Sequence, residues 1–406
     1  MSSQPALPNP TLPSPKFLIA CGVVLCALSM GLRQSFGLFL APITAAQGFT
    51  ASAFAFAIAC QILLNGASQP FMGNLADRFG GRRVLWGGSA LYALGLVLMA
   101  SIAGYVVFFL GAGLVLGIAV SAAGFPIVMA GLQRLLPEAM RGRAVGLVTA
   151  GSSFGQFSVV PLVATGIGAF GWQHTLYAMA AVGLLIAVLA SPLTGDAPKA
   201  GVKKQPAGEA LRAALSTGQF WCLFFGFFVC GVHVSFLTTH LPGFVASCGL
   251  HPWYGGAAIS VIGLFNIFGA LLSGELSGRW RRRELLVFIY AARAVVMLVF
   301  FFAPKTEVTL LVFSAAMGFL WLSTVPPTVQ LCARSFGTQW LATIFGIVFF
   351  GHQIGGFAGA WLGGLVWDAT GSYDLMWWIS IGAGAFAAVV NLPVRDPRSP
   401  MVARPA

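Results

Sequence analysis

The sequence predicts an all-α membrane protein with twelve transmembrane helices in two pseudo-symmetric six-helix bundles. Three observations support this fold class. The 406 residues are 58% hydrophobic and only 8% charged, whereas about 25% of the residues in soluble domains are charged. The apolar residues fall into runs long enough to cross a bilayer. The two halves of the chain also repeat each other.

The apolar runs define the twelve predicted helices. Each run is close to the length of about 20 residues that an α-helix needs to span a membrane, and Pro, Gly or charged residues separate the runs. The predicted helices comprise residues 17–41, 52–72, 84–103, 105–130, 143–167, 172–192, 219–246, 255–277, 285–303, 308–331, 340–366 and 373–393.

The basic residues predict the orientation in the membrane. All of the 22 Lys and Arg residues except Arg33, Arg293 and Lys305 fall on one side of the predicted helices, and cytoplasmic loops are rich in Lys and Arg. We therefore expect an inner-membrane protein with both termini in the cytoplasm. In a soluble protein the net charge of +12 would suggest a nucleic-acid partner. Here the basic residues fall in short clusters between apolar runs, which predicts a basic membrane face and no nucleic-acid partner.

Residues 200 positions apart match along the predicted helices. Gly31 corresponds to Gly231 and Pro126 to Pro326, for example. Such a repeat predicts two parallel halves with a binding cavity between them at the membrane midplane. The predicted parts are a cytoplasmic tail at 1–16, a bundle at 17–192, a cytoplasmic linker at 193–218, a second bundle at 219–394 and a tail at 395–406.

The segment GNLADRFGGRR, residues 73–83, resembles the loop signature of the major facilitator superfamily, and similarity to that fold extends over the whole chain. The resemblance implies a transporter that works by alternating access. In that family the loop latches helix ends in one conformation and releases them in the other. The residues thereby assigned to a conformational switch are Gly73, Asp77, Arg78, Gly80, Arg82 and, from the second copy, Arg279. The alternative is that these charges only anchor a turn at the lipid headgroups.

Two further segments resemble bacterial relatives of the monocarboxylate and oxalate:formate carriers. They are PPTVQLCARSFG at 326–337 and FGHQIGGFAGAWLGG at 350–364. The resemblance implies a small organic anion, a monocarboxylate, as the substrate. The acidic and basic pair that monocarboxylate carriers place in helix eight is absent from ISVIGLFNIFGALLSGEL. The coupling mechanism therefore stays open at this point.

Arg33 is the first predicted substrate ligand. It follows Lys16 by 17 residues, which at about 1.5 Å per residue places it deep in the membrane. Inserting a charge there costs about 2.5–3.5 kcal/mol, and a guanidinium offers bidentate hydrogen bonds to a carboxylate. We therefore expect Arg33, with its neighbour Gln34, to bind an anion. The alternatives are that Arg33 reaches the outer surface or interacts with helix dipoles.

Three histidines complete the predicted site. His233 is the repeat counterpart of Arg33 and is expected to face it across the cavity, and His240 lies two turns further along. His352 and Gln353 lie where oxalate carriers place a cation that contacts the dicarboxylate. His352, His233 and His240 are the predicted proton-coupling groups, because imidazole changes its charge near neutral pH. The predicted substrate ligands are Arg33, Gln34, His233, His352 and Gln353. The alternative for each histidine is a packing role.

The sequence contains no sign of an enzyme or of an ATP-driven pump. It has no GxxxxGK[ST] phosphate-binding loop and no HExxH motif, and its seven cysteines are isolated. We therefore expect no cofactor and no metal, with transport by a monomer in the lipid bilayer, driven by a proton. Efflux of hydrophobic or drug-like compounds is the alternative function, although it usually depends on acids inside the membrane. For Arg293 a structural role is favoured.

Overall fold

The computed structural model describes residues 13–101, 103–123, 125–193, 207–337 and 341–396. Most of the predicted tails and half of the linker at 193–218 therefore lie outside the described residues. The described part is all-helical. Its α-helices are α1 Pro15–Gln34, α2 Leu40–Gln47, α3 Ala51–Phe79, α4 Gly81–Ser101, α5 Tyr105–Phe108, α6 Leu116–Ala122, α7 Phe125–Leu135, α8 Glu138–Ala190, α9 Ala207–Leu215, α10 Gly218–Ser247, α11 Trp253–Arg279, α12 Arg282–Phe302, α13 Glu307–Leu320, α14 Val325–Phe336, α15 Leu341–Thr370 and α16 Asp374–Asn391.

Eleven helical segments of the described chain are long and apolar enough to cross a membrane. One of them, Gly146–Leu193, has 48 residues, far more than one crossing needs. It is interrupted at Gly171, whose φ of 82° and ψ of 164° are not helical. Two spans were predicted from this stretch, meeting near Gly171. The all-α membrane fold is confirmed, while the number twelve remains a prediction.

The internal repeat is visible in the way the helices pack. In the first half, α1 and α8 approach so closely that a Cβ at Gly155 would overlap the carbonyl of Ala27, and one at Gly31 would lie 2.6 Å from the Gly155 oxygen. In the second half, Gly355 of α15 meets the Phe228 carbonyl of α10 in the same way. Small residues allow helices in membranes to approach closely. The repeated glycines therefore build the same helix pair twice.

Each half has its own apolar core and an apolar outer surface. Phe39, Phe54 and Phe108 are buried in the first half, and Trp377 is buried in the second. Other large apolar side chains face outward, and Phe71, for example, is 73% exposed. A surface of this kind is unfavourable in water and favourable against lipid.

The halves meet along two long seams, one between α3 and α15 and one between α8 and α11, and also where residues 36–47 pack against α10. At one end of the molecule the carboxylate of Asp368 in α15 accepts hydrogen bonds from the Ala51 and Ser52 amides, at 3.2 and 2.8 Å. A carboxylate at a helix N-terminus satisfies free amides and interacts favourably with the helix dipole. We call this end of the molecule the far end.

The opposite end carries Arg279, Arg281, Arg282, Arg283 and Arg334, and we call it the basic end. Each of the four seam helices has a glycine in its part nearest the basic end. A Cβ built on any of these glycines would have no neighbouring atom within 4 Å. These glycines are Gly73, Gly146, Gly274 and Gly346. Among the described residues, the contacts between the halves thus lie at the far end and around the middle of the helices, and these four glycines have no neighbour from the other half.

Candidate functional site

A cavity of about 40 Å³ lies between the halves. It is bordered by α1 and the 3₁₀ turn Phe36–Phe39 that follows it, and by α3, α10 and α15. The lining residues are Arg33, Gln34, Phe36, Gly37, Ile58, Gln61, Ile62, Val234, Ser235, Thr238, Thr239, His352 and Gln353. The structure therefore brings together four predicted substrate ligands, Arg33, Gln34, His352 and Gln353. Among the described residues, no acidic side chain belongs to this lining.

A break in the first membrane helix positions Arg33 and Gln34. The helix α1 ends at Gln34, and the chain tightens into the 3₁₀ turn Phe36–Phe39 before α2 begins. Gly37 in this turn lies so close to the Thr238 carbonyl of α10 that a Cβ would overlap it. Irregular backbone inside a membrane is tolerated where it is buried in protein or lines a cavity. The break thus brings the two cavity-lining residues against the other half.

Arg33 has no hydrogen bond or ion pair to any described residue. Its side chain is half-buried and lines the cavity, and it interacts electrostatically with the phenol of Tyr92. The Tyr92 hydroxyl is itself buried without a hydrogen-bond partner in this part of the chain. A buried guanidinium normally has its donors satisfied. The free donors of Arg33 therefore suit an anion bound in the cavity.

Gln34 is held by a residue that sequence analysis missed. Its Nε2 donates to Oε1 of Gln156 in α8, at 3.1 Å, and Nε2 of Gln156 donates to the Ile259 carbonyl of α11, at 3.0 Å. Gln156 is 0% exposed. The available signal was an uncharged but strongly polar side chain in the middle of a predicted span, where each unsatisfied polar group costs several kcal/mol.

His352 lies on the opposite side of the cavity from α1. Its ring is stacked on Phe349, with centroids 5.7 Å apart, and contacts Phe227. Its Nδ1 lies 3.2 Å from Oε1 of Gln353. Since a carbonyl oxygen can only accept, Nδ1 carries the proton of this bond. The second ring nitrogen, Nε2, is then the atom that can take up a further proton.

His233 and His240 lie on other faces of α10, away from the cavity. His233 is 0% exposed and its Nε2 donates to the Ser380 carbonyl of α16, at 2.8 Å. His240 donates from Nε2 to the Ala360 carbonyl, at 2.6 Å, and its Nδ1 lies 3.4 Å from the Tyr373 hydroxyl. The residues of α10 that do face the cavity are Val234, Ser235, Thr238 and Thr239. The expectation that His233 faces Arg33 across the cavity does not match this placement. The repeat predicts how deep in the membrane a residue lies, but it does not predict in which direction the side chain points.

Arg293 is fully buried and caps a broken helix. The tenth predicted helix is interrupted between α13 and α14, which leaves carbonyl groups at the end of α13 without helical partners. The guanidinium donates to the Leu320 carbonyl, at 3.1 Å from Nε and 2.6 Å from Nη2, and also to the Trp321 carbonyl. Its Nη1 lies 3.4 Å from the sulfur of Cys230. Its described contacts are thus structural, and it does not line the cavity.

The predicted switch residues lie at the basic end. Gly80 ends α3 with φ 87°, a conformation that favours glycine. Arg82 lies over the Trp86 ring at 5.5 Å, and Arg279 forms an exposed ion pair with Glu275 at 2.7 Å. Gly73 lies within α3, while the side chains of Asp77 and Arg78 lie outside the described residues. Their role as a switch stays a prediction.

Comparison with known proteins places the whole chain in one family. The model of the Major Facilitator Superfamily matches residues 19–360. The uncharacterized MFS-type transporter YcxA of Bacillus subtilis is 24% identical, with 94% of this chain and 96% of that protein covered. Monocarboxylate transporter 13 of Rattus norvegicus is 27% identical (89% and 83% covered), and the oxalate:formate antiporter of Oxalobacter formigenes is 26% identical (86% and 84%).

A solved structure shows the same fold. The crystal structure of a D-xylose-proton symporter superposes with a TM-score of 0.74 at 17% identity, covering 93% of this chain and 96% of that one. The resemblance to this superfamily and to its monocarboxylate and oxalate:formate carriers is confirmed. The matched residues include the broken first helix, the cavity and both seams. The chain therefore belongs to the Major Facilitator Superfamily and is a membrane transporter, not an enzyme.

Proposed function

We propose that this transporter carries a small monocarboxylate together with a proton across the inner membrane by alternating access. The observation that carries the proposal is Arg33, a cation lining the cavity with no hydrogen bond or ion pair to the described chain. A carboxylate would satisfy its donors by a bidentate pair. Relatives of this chain are named as a monocarboxylate transporter and an oxalate:formate antiporter, which supports an organic anion as the substrate.

The size of the cavity favours a small acid. A volume of about 40 Å³ accommodates roughly three water-sized groups, which suits a carboxylate with one or two further carbons. Gln34 and the hydroxyls of Ser235, Thr238 and Thr239 surround the polar end. Ile58, Ile62, Phe36 and Val234 supply apolar contacts.

His352 is the proposed proton carrier. It lines the same cavity as Arg33 but belongs to the other half of the molecule. One fixed cation matches the charge of a monocarboxylate, and imidazole can take up and release a proton near neutral pH. His233 and His240 do not reach the cavity, so we assign them no part in proton coupling.

The closed far end and the open basic end correspond to an inward-facing state if the basic end is cytoplasmic. The excess of Lys and Arg at that end supports this orientation, with both termini inside. In this state Arg33 exchanges substrate with the cytoplasm. Opening of the two seams at the far end then gives access from outside. A single chain contains the whole proposed pathway, which fits a monomer in the bilayer.

The test is counterflow of labelled monocarboxylates in proteoliposomes containing the purified protein. Arg33→Ala removes two charge-assisted hydrogen bonds, each worth about 1.5–3 kcal/mol, so uptake should fall by roughly 100-fold or more. Arg212→Ala, which removes an exposed guanidinium from α9, is the matched control and should retain uptake. Uptake of cationic or uncharged hydrophobic compounds alone, unaffected by Arg33→Ala, would contradict the proposal and favour efflux of drug-like compounds.

A further inference from the structure

Two buried glutamines cross from one half of the molecule to the other. Gln156 of α8 donates from Nε2 to the Ile259 carbonyl of α11, at 3.0 Å. Gln353 of α15 donates from Nε2 to the Ile62 carbonyl of α3, at 3.3 Å. Each of the two seams therefore contains one glutamine whose amide bonds to the backbone of the opposite half.

Each glutamine side chain packs against a glycine of the opposite half. A Cβ at Gly263 would lie 2.8 Å from Cγ of Gln156, and a Cβ at Gly66 would lie 2.6 Å from Cγ of Gln353. Both distances are shorter than carbon atoms tolerate, so only glycine leaves room for the glutamine side chain. The same arrangement thus occurs independently on both seams.

The two glutamines are not counterparts in the repeat. At the spacing of 200, Gln353 corresponds to Ser153, and Gln156 corresponds to Gly356. The glutamines therefore differ by about one helical turn in position. Each seam thus has a glutamine amide that bonds across it, but at a different depth in the membrane. Because the two positions are not related by the repeat, the glutamines were not inherited as a pair from the duplication, which indicates a common function.

The carbonyl oxygen of each glutamine side chain bonds to a residue that lines the cavity. Oε1 of Gln156 accepts from Nε2 of Gln34 at 3.1 Å, and Oε1 of Gln353 bonds to Nδ1 of His352 at 3.2 Å. Each amide thus connects one cavity-lining side chain with the backbone across the seam. An amide is suited to this because it offers a donor and an acceptor on one planar group.

We propose that Gln156 and Gln353 are positioning residues of the transport cycle, which orient Gln34 and His352 in the cavity and at the same time hold the two seams closed. The proposal rests on the proposed function only in taking the cavity as the substrate site. When the far end opens, the bonds to Ile259 and Ile62 break and the amides are free to rotate. Gln34 and His352 then lose their fixed orientation, so the site differs in affinity between the two states.

Hydrogen–deuterium exchange of the full chain in lipid nanodiscs tests this without substrate. Gln156→Leu and Gln353→Leu each lose the bond to the cavity residue and the bond that crosses the seam. Loss of the crossing bond shifts the equilibrium roughly three- to tenfold towards the state with the far end open. Exchange should rise in residues 51–58 and 253–262 at the far end and fall in 67–76 and 267–279 towards the basic end. A rise at both ends would show general loosening and would overturn the proposal, as would unchanged exchange.

Three further variants provide a control and an alternative to the leucine variants. Gln219→Leu is the matched control, because Gln219 is buried but bonds only within its own half, to Ser335 and to the Arg395 backbone. It should not produce changes of opposite sign at the two ends. If the leucine variants do not fold, Gly263→Ala and Gly66→Ala push the glutamines out of their places and should shift exchange in the same direction.

The pH profile of uptake separates positioning from packing. Gln353→Leu removes the amide that bonds to Nδ1 of His352 but leaves the Cys230 thiol, its other polar neighbour, and should shift the profile. Gln156→Leu should lower uptake without moving the profile. Equal profiles in both variants would overturn the positioning of His352. Because the exchange experiment contains no substrate, failure of monocarboxylate uptake would refute the proposed function alone, and unaltered exchange would refute the role of the glutamines alone.

Discussion

A guanidinium occupies related places in the two halves but comes from different helices. In the first half Arg33 of α1 lies near Tyr92 of α4, and in the second half Arg293 of α12 lies near His233 of α10. His233 is the repeat counterpart of Arg33. Of these two arginines, only Arg33 has free hydrogen-bond donors at the cavity, because Arg293 donates to the carbonyl groups at the end of α13. Differences at single residues thus leave one guanidinium with free donors at the cavity and the other bound to the end of a helix.

His352→Gln is the variant that tests proton coupling at this scale. Glutamine retains a hydrogen-bonding side chain of similar size but cannot be protonated between about pH 5 and 8. Since the proposed transport moves a proton together with the substrate, uptake by the unmodified protein should rise as the external pH falls. In the variant, uptake in proteoliposomes should lose this dependence on pH and on an imposed proton gradient.

His174→Gln is the control for the histidine test, because His174 is exposed and lies outside the cavity. Its uptake should respond to pH as in the unmodified protein. A proton-driven uptake that persists in His352→Gln would assign coupling to another group.

At the scale of helices, the sequence predicted extents well and interruptions poorly. The predicted helix 219–246 is α10, Gly218–Ser247, and 285–303 is α12, Arg282–Phe302, because the bilayer thickness sets the length of an apolar run. The 3₁₀ turn Phe36–Phe39 and the gap between α13 and α14 were both missed. Hydrophobicity is the same on either side of a break, and the partners that stabilise a break come from distant parts of the chain.

The break after α13 leads to a prediction for Arg293. In Arg293→Met the Leu320 and Trp321 carbonyls lose their charged donor, and each buried unsatisfied group costs about 1–3 kcal/mol. We expect a lower thermal unfolding temperature in detergent with an unchanged KM for uptake, and a smaller loss in Arg293→Lys. Normal thermal stability combined with a raised KM would instead place Arg293 in contact with substrate.

At the scale of the whole molecule, the two-fold repeat was predictable, but the state of the transporter was not. Residue spacing reveals the halves, whereas the angle between them depends on contacts such as those of Gln156 and Asp368, which connect residues more than 100 positions apart. The same limit applies to the site. Arg33 and His352 were found from their chemistry, while Gln156 became visible only through its bonds across the seam.

Asp368 provides the test of this global arrangement. Asp368→Ala removes the cap of α3 from the opposite half, worth about 1 kcal/mol, which corresponds to about a fivefold shift towards the state open at the far end. Spin labels at the exposed positions 174 and 374 should then show a larger share of long distances by pulsed EPR. An unchanged distance distribution would mean that Asp368 caps its helix without holding the halves together.

The division of the cavity between the two halves has a consequence for inhibitor design. Arg33 comes from one half and His352 from the other, so under the proposed function a compact acid is held by both only when they close around it. A carboxylate bearing a bulky tail would still pair with Arg33 but would act as a wedge that prevents closure. Such a compound would bind at the site but would not be transported. Its affinity would come from contacts with one half alone.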